Sequence, residues 1–127
     1  MTTKPRFPFV TQLPRDDGCG VVVLQMLTGK SYDEVAGMIN WAPGAVHYST
    51  WKELTGVLSA LGWDIGEPRP ASSWGEISGV AVVHVEPDHF MLYHAETATF
   101  YDPGQLTGPQ SHSALIPMSY LSVRPPR

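Results

Sequence analysis

The sequence predicts an α+β fold, with helices from the first half of the chain packed on an antiparallel sheet from the second half. Residues 19–61 carry apolar positions at helical spacing, interrupted by capping residues and glycines, and later residues form short apolar runs separated by turns. A chain of 127 residues with 12 glycines and 12 prolines fits one domain, 1–127, of short elements and many turns. The proline-rich ends, 1–8 and 124–127, are expected to be extended arms.

The first predicted helix begins at the stretch CGVVVLQML and ends at Thr28-Gly29. Its three consecutive valines are equally typical of a β-strand. We favour a helix because Asp16 or Asp17 can cap its start, Gly29 can end it, and a second helix follows at once.

Two further helices have recognisable start signals. Ser31 and Glu34 have the spacing of a capping box, and Thr50 and Glu53 have the same spacing. Apolar residues recur at helical spacing after each box. They are Val35, Met38 and Ile39 in the second helix and Trp51, Leu54, Val57, Leu58 and Leu61 in the third. Gly62 is expected to end the third helix.

The second half of the chain predicts strands. Residues 66–79, GEPRPASSWGEISG, are expected to form an irregular bridge, and residues 80–85 form an apolar run typical of a buried strand. Residues 89–94 and 97–102 predict a hairpin, and residues 119–123 predict a final strand. The sheet is therefore expected to be antiparallel.

Cys19 is the only cysteine in the chain and stands at the start of the first predicted helix. A free thiol has a pKa near 8.5, so little thiolate is present at neutral pH unless its environment stabilises the anion. The first turn of a helix does so through its unpaired N–H groups and the helix dipole. Gly18 and Gly20 leave the sulfur accessible. The sequence therefore predicts a nucleophile; the alternative is a small buried apolar side chain, because free cysteine is often buried.

His89 and Asp102 are predicted to meet across the hairpin. With a two-residue loop at Ala95-Glu96, His89 lies directly opposite Asp102; with the loop at Glu96-Thr97, the two are diagonal neighbours about 7–8 Å apart. Both registers place the two side chains on one face of the sheet, because side chains alternate along a strand. An aspartate bonded to one ring nitrogen orients a histidine and stabilises its imidazolium form. The alternative is that Asp102 merely opens a turn before a proline.

Together these residues resemble a known family. Gln12, then Cys19-Gly20 opening an apolar helix, then HFMLYH from His89 and a Tyr-Asp-Pro at Asp102 resemble the papain-like cysteine peptidases. The most similar subgroup is the compact bacterial and phage one, related to peptidase domains that process double-glycine leader peptides. The resemblance spans residues 12–102 and implies a papain-like fold. It implies that Cys19 is the nucleophile, His89 the general base and Asp102 the orienting acid.

Gln12 is the fourth residue of the predicted site. Its side-chain amide, with the backbone N–H of Cys19, is expected to donate to the oxyanion that forms when a carbonyl is attacked. Two features depart from the family pattern. Gly18 precedes the cysteine where the family more often has aspartate, and Gln12 lies one residue farther from the cysteine than is usual.

The predicted function is a cysteine hydrolase that cleaves a peptide or amide bond through an acyl-enzyme on Cys19. The expected partner is a peptide or protein substrate, and no cofactor is expected. An acyltransferase would use the same residues. Two other hypotheses remain open, namely a papain-like binding module with an inert pocket and a structural domain with a buried Cys19.

Charge and composition argue against several other classes of protein. The formal net charge is −4 with no run of like charges, so we expect no nucleic-acid binding. The five histidines lack a metal-ligand spacing, and we expect no metal site. The N-terminus lacks a signal-peptide pattern and no segment approaches about 20 apolar residues. We therefore expect a cytoplasmic protein without a membrane association; the oligomeric state is not predicted.

Overall fold

A computed structural model of the protein describes residues 7–11, 19–39, 41, 49–86, 88–105 and 108–126. The predicted α+β class is confirmed, because in this part of the chain three helices accompany one antiparallel sheet of six strands. Gln12, Asp16 and Asp17, and most of the predicted N-terminal arm, lie outside the described residues.

The three helices are α1 (Cys19–Thr28), α2 (Tyr32–Gly37) and α3 (Trp51–Ala60). The three valines of α1 are helical because α1 is buried on almost every side, and a helix in the interior is apolar all round. At the start of α2 the predicted capping box is present. The Ser31 hydroxyl accepts the N–H of Glu34 at 3.1 Å, and the Glu34 carboxylate accepts the N–H of Ser31 at 3.2 Å.

The second predicted capping box, at the start of α3, is wrong. Thr50 is the N-cap residue, but its side chain accepts no hydrogen bond from the helix. Its hydroxyl instead donates to the Glu53 carboxylate at 2.8 Å, because an ionised carboxylate is a strong acceptor. Gly62 ends the helix as predicted, with a φ of +81° in the region that favours glycine.

The strands are β1 (Asp64–Ile65), β2 (Arg69–Pro70), β3 (Val80–Val85), β4 (His89–His94), β5 (Thr99–Tyr101) and β6 (Pro117–Arg124). Their order in the sheet is β1-β6-β3-β4-β5, and β2 also pairs with β6. The predicted irregular bridge, residues 66–79, therefore contains the short strand β2 and a 3-10 turn at Trp74–Glu76. The prediction of a wholly irregular segment is wrong. A two-residue strand forms only through its pairing with β6, and two residues are too few to show an alternating sequence pattern.

The hairpin of β4 and β5 has the second of the two predicted registers. Leu92 pairs with Tyr101, and a 3-10 turn at Ala95–Thr97 connects the strands. Continuing this register places residue 104 opposite His89, so that Asp102 is the diagonal neighbour of His89. The register with His89 directly opposite Asp102 is wrong, because the turn is longer than two residues.

The sheet has an apolar core on each face. The first core lies between the sheet and the helices; the strands contribute Val80, Val82, Phe90, Leu92, Tyr101, Leu121 and Val123 to it. The second core lies on the opposite face and contains Ala81, Val83, Val85, Met91, Tyr93 and Phe100. Trp74 and Leu115, from the connecting segments, cover it. The alternation along β3 and β4 thus buries both faces. No helix in the described ranges is long and apolar enough to cross a membrane.

Candidate active site

Cys19 is the first residue of α1, where the predicted nucleophile was placed. Its side chain is half-buried and packs against the first core. The first turn of α1 contains no acidic residue. The free N–H groups of that turn favour a negative charge on the sulfur, and no carboxylate of the same turn would repel a thiolate.

His89 and Asp102 lie where two strands meet their turns. His89 is the first residue of β4, and Asp102 directly follows β5. The His89 Nε2–H donates to Asp102 Oδ1 at 2.6 Å. The side chains of His89 and Asp102 are only 18% and 11% exposed, so this hydrogen bond is largely shielded from water.

The turn after β5 holds the Asp102 carboxylate in place. The N–H of Gly104 donates to Asp102 Oδ1 at 2.8 Å, and the N–H of Gln105 donates to the Asp102 carbonyl at 3.0 Å. The Thr11 hydroxyl donates to the carbonyl of Pro103 at 3.1 Å and so ties the segment before Cys19 to this turn. Sequence reasoning missed these supporting contacts, although the Asp-Pro-Gly sequence is a signal for a turn in which an aspartate accepts a backbone N–H.

The Cys19 side chain lies close enough to the His89 ring to favour its protonated form. Because Nε2 is engaged by Asp102, Nδ1 is the ring nitrogen that remains for the thiol. The structure thus brings the Cys19 side chain near the hydrogen-bonded pair of His89 and Asp102. No other histidine among the described residues joins this pair, and Gln12 lies outside the described residues.

The environment of His89 favours its protonated form. Burial by itself lowers the pKa of the imidazole, but hydrogen bonds and charge attraction from Asp102 and Cys19 outweigh burial and raise the pKa to about 9. Burial likewise opposes the charged form of Asp102, yet the hydrogen bonds from His89 and Gly104 hold the pKa of its carboxyl below the ordinary value. At neutral pH the pair is therefore an imidazolium and a carboxylate.

Two other histidines on strands, His84 and His94, form hydrogen bonds away from this site. His84 donates from Nε2 to Asp88 Oδ1 at 2.8 Å. His94 is buried on the face of the sheet opposite to that predicted for His89, and its Nδ1 bonds the Thr97 hydroxyl at 3.0 Å. Trp74 packs against Tyr93 in the second core, with a ring separation of 5.1 Å.

We expect the free energy of unfolding to fall as the pH rises from 6.5 to about 9. His89 binds its proton more tightly in the folded protein, with a pKa of about 9, than in the unfolded chain, where its pKa has the ordinary value of 6.5. Its contribution to stability is therefore complete below pH 6.5 and is lost as the pH rises through 9. Because the pair is partly exposed, we expect a loss of about 1–2 kcal/mol, less than the full shift would give.

Chemical denaturation at the two ends of this pH range measures the effect. His89→Ala is expected to abolish the part of the decline that is due to the imidazole. A decline of the same size in this variant would contradict the assignment to His89.

Among the described residues, no group of three histidine, cysteine, aspartate or glutamate side chains could hold a metal ion. A scan of the sequence against protein-family models found no match, and a search of curated proteins found none either. The arrangement of a partly exposed thiol, a protonated imidazole and an ionised carboxylate is nevertheless one that supports nucleophilic chemistry.

Proposed function

We propose that the protein is a papain-like cysteine hydrolase that cleaves a peptide or amide bond. One observation carries the proposal, namely the hydrogen bond between His89 and Asp102 with Cys19, at the start of α1, near the same imidazole ring. A histidine with a pKa of about 9 is protonated at neutral pH, and an imidazolium beside a thiol favours the thiolate.

In the proposed reaction the Cys19 thiolate attacks the carbonyl carbon of the substrate. The C–N bond then breaks as the His89 imidazolium gives its proton to the leaving amine, and a thioester remains on Cys19. The now neutral His89 takes a proton from water, which attacks the thioester and releases a carboxylic acid. The thiolate and the imidazolium are restored.

Asp102 and Gln12 have supporting roles in the proposal. Asp102 orients the imidazole and stabilises its positive charge, because its carboxylate accepts a hydrogen bond from the His89 Nε2–H throughout the reaction. The backbone N–H of Cys19 and the side-chain amide of Gln12 are proposed as donors to the oxyanion. Attack of an amine on the thioester, in place of water, would give an acyltransferase with the same residues.

The pH dependence of Cys19 alkylation by iodoacetamide tests the proposal. A thiol with an ordinary pKa near 8.5 reacts about 80-fold faster at pH 8 than at pH 6, because the thiolate fraction rises by that factor. We expect wild-type Cys19 to react rapidly well below pH 8, and so to show a shallower profile than this, because the His89 imidazolium lies beside the thiol. In His89→Ala the steep dependence should return.

His112→Ala is the matched control, because His112 is an exposed histidine in a connecting segment. This variant is expected to keep the shallow wild-type profile. A steep profile in the wild-type protein would contradict the hydrolase and favour an inert binding module. If Cys19 reacted only after unfolding, the structural-domain hypothesis would be favoured. Digestion of a peptide library with and without added hydroxylamine then separates hydrolysis from acyl transfer, with Cys19→Ala as the blank.

A further inference from the structure

A cleft opens at the end of the sheet where β3 begins, and its volume is about 380 Å³. Cavities that enclose a small-molecule ligand usually measure about 300–1,000 Å³, so this cleft has room for one. Its walls come from β1, β6, the start of β3 and the turn after β4. His89 stands at the other end of β4, about 17 Å along the strand from His94. The cleft is therefore separate from the candidate active site.

The pairing of β3 fixes which groups face each other across the cleft. Continuing the register of β3 with β6 places Arg124 opposite Gly79. On the other side of β3, the N–H of Ala95 donates to the Gly79 carbonyl at 2.8 Å and so fixes the turn that carries Glu96. Arg124 and this turn are thus two strand spacings apart, or about 10 Å between their backbones.

Three charged side chains line the cleft, namely Asp64, Glu96 and Arg124. Asp64 pairs directly with Arg124 in the sheet, so the two side chains lie next to each other on one face. Neither forms an ion pair with another described residue. Glu96 Oε2 lies 3.9 Å from His94 Nε2, beyond hydrogen-bond distance, and the Glu96 side chain is 77% exposed. All three charges are therefore open to a ligand.

These charges complement one class of small molecule. An α-amino acid carries an ammonium and a carboxylate on the same carbon, and Asp64 and Arg124 are likewise neighbours. The side chain of a lysine or arginine carries a second cation away from this head group, as Glu96 lies away from Asp64 and Arg124 on the far side of β3. A ligand with two positive charges and one negative charge thus meets a wall with two negative charges and one positive charge.

The uncharged part of the wall suits the aliphatic part of such a side chain. Val80, Val123 and Pro125 provide apolar surface on which methylene groups can pack while the cation at their end stays in contact with water. The hydroxyls of Ser78 and Ser122 belong to exposed residues. A hydroxyl can donate to a carboxylate or accept from an ammonium, so neither serine opposes this ligand.

We propose that the cleft binds a free basic α-amino acid, lysine or arginine. The ligand carboxylate pairs with Arg124, the α-ammonium with Asp64 and the side-chain cation with Glu96. This site does not depend on the proposed hydrolase, because no residue of the candidate active site lines the cleft.

A titration of the wild-type protein with L-lysine tests the site, with the backbone N–H signals of Gly66 and Gly79 in the cleft followed by NMR. L-norleucine has the same carbon chain without the side-chain ammonium, and cadaverine is the diamine without the carboxylate. We expect each to bind at least about tenfold more weakly than L-lysine, because each leaves one charge of the wall unpaired. Equal binding by either compound, or no shift with L-lysine and L-arginine up to about 10 mM, would overturn the proposal.

Variants of the charged residues assign each contact. Glu96→Gln is expected to bind lysine and norleucine equally, and Arg124→Gln is expected to bind lysine and cadaverine equally. Glu86→Gln is the matched control, because Glu86 is an exposed carboxylate at the opposite end of β3, and should keep both differences. A difference that persists in its own variant would contradict the contact assigned to that residue. If a variant does not fold, the comparison of ligands on the wild-type protein decides alone.

Cys19→Ala separates this site from the proposed reaction. We expect it to bind L-lysine with the affinity of the wild type, since Cys19 does not line the cleft. Loss of lysine binding in this variant would overturn the assignment to the cleft. A steep iodoacetamide profile would refute the hydrolase, while the lysine titration would still decide whether the cleft binds a basic amino acid.

Discussion

Asp102→Ala is expected to lower the pKa of His89 from about 9 towards its ordinary value of 6.5. Burial disfavours the imidazolium, and the Asp102 carboxylate is the main group that overcomes this effect. A fall of two and a half units corresponds to a change of about 300-fold in the proton-binding constant. His89 should then be largely neutral at pH 7.5, and the Cys19 alkylation profile should become steep, because the imidazolium that favours the thiolate is gone.

The measurement is an NMR titration of the His89 Cε1–H signal. Asp102→Asn separates charge from hydrogen bonding, because an asparagine oxygen still accepts the Nε2–H while the negative charge is removed; we expect an intermediate pKa. Asp33→Ala, an exposed aspartate in the first turn of α2, is the control and is expected to leave the titration unchanged. A pKa near 9 that survives in Asp102→Ala would refute the role given to this carboxylate.

Gly20→Ala is expected to destabilise the protein by about 1–3 kcal/mol, because the added methyl group overpacks a tight contact. The new Cβ would lie 2.0 Å from Ser49 Oγ and 3.2 Å from Leu54 Cδ2, and both neighbours are buried. Relief therefore requires the Ser49 side chain to shift or the start of α1 to move. Since Cys19 is the preceding residue, a movement of α1 should displace the thiol and slow its alkylation.

Gly56→Ala is the matched control, because Gly56 lies in the middle of α3 with no atom near the position of an added Cβ. Alanine there should raise the free energy of unfolding by about 0.5–1 kcal/mol through helix propensity. Ser49→Ala, introduced with Gly20→Ala, removes a hydroxyl that is buried without a hydrogen-bond partner among the described residues, and should recover much of the lost stability. A Gly20→Ala protein as stable as the wild type would contradict this prediction, because it would mean that there is room for a methyl group between Gly20 and Ser49.

Local patterns determined most of the secondary structure of this protein. The Ser31 and Glu34 box, the glycine stop at Gly62 and the apolar run of β3 correspond to the elements observed, because capping and periodicity act over a few residues. The position of Cys19 at the start of α1 was also visible in the sequence, since the helix signals around it are local.

Long-range packing decided the rest. The turn at Ala95–Thr97 selected one of two hairpin registers, and β1 and β2 exist through their pairing with β6. The sequence placed His89 and Asp102 on one face but could not predict their 2.6 Å hydrogen bond. That distance depends on the turn after β5, where Gly104 holds the carboxylate.

The sequence by itself determined the residue types of the candidate site and the elements that carry them. Only the tertiary structure decided that the Cys19 side chain approaches the His89 ring and that this ring is bonded to Asp102. The physical reason is that helix and strand signals are short-range. The approach of side chains that are 70 residues apart depends on how two apolar cores pack against the faces of one sheet.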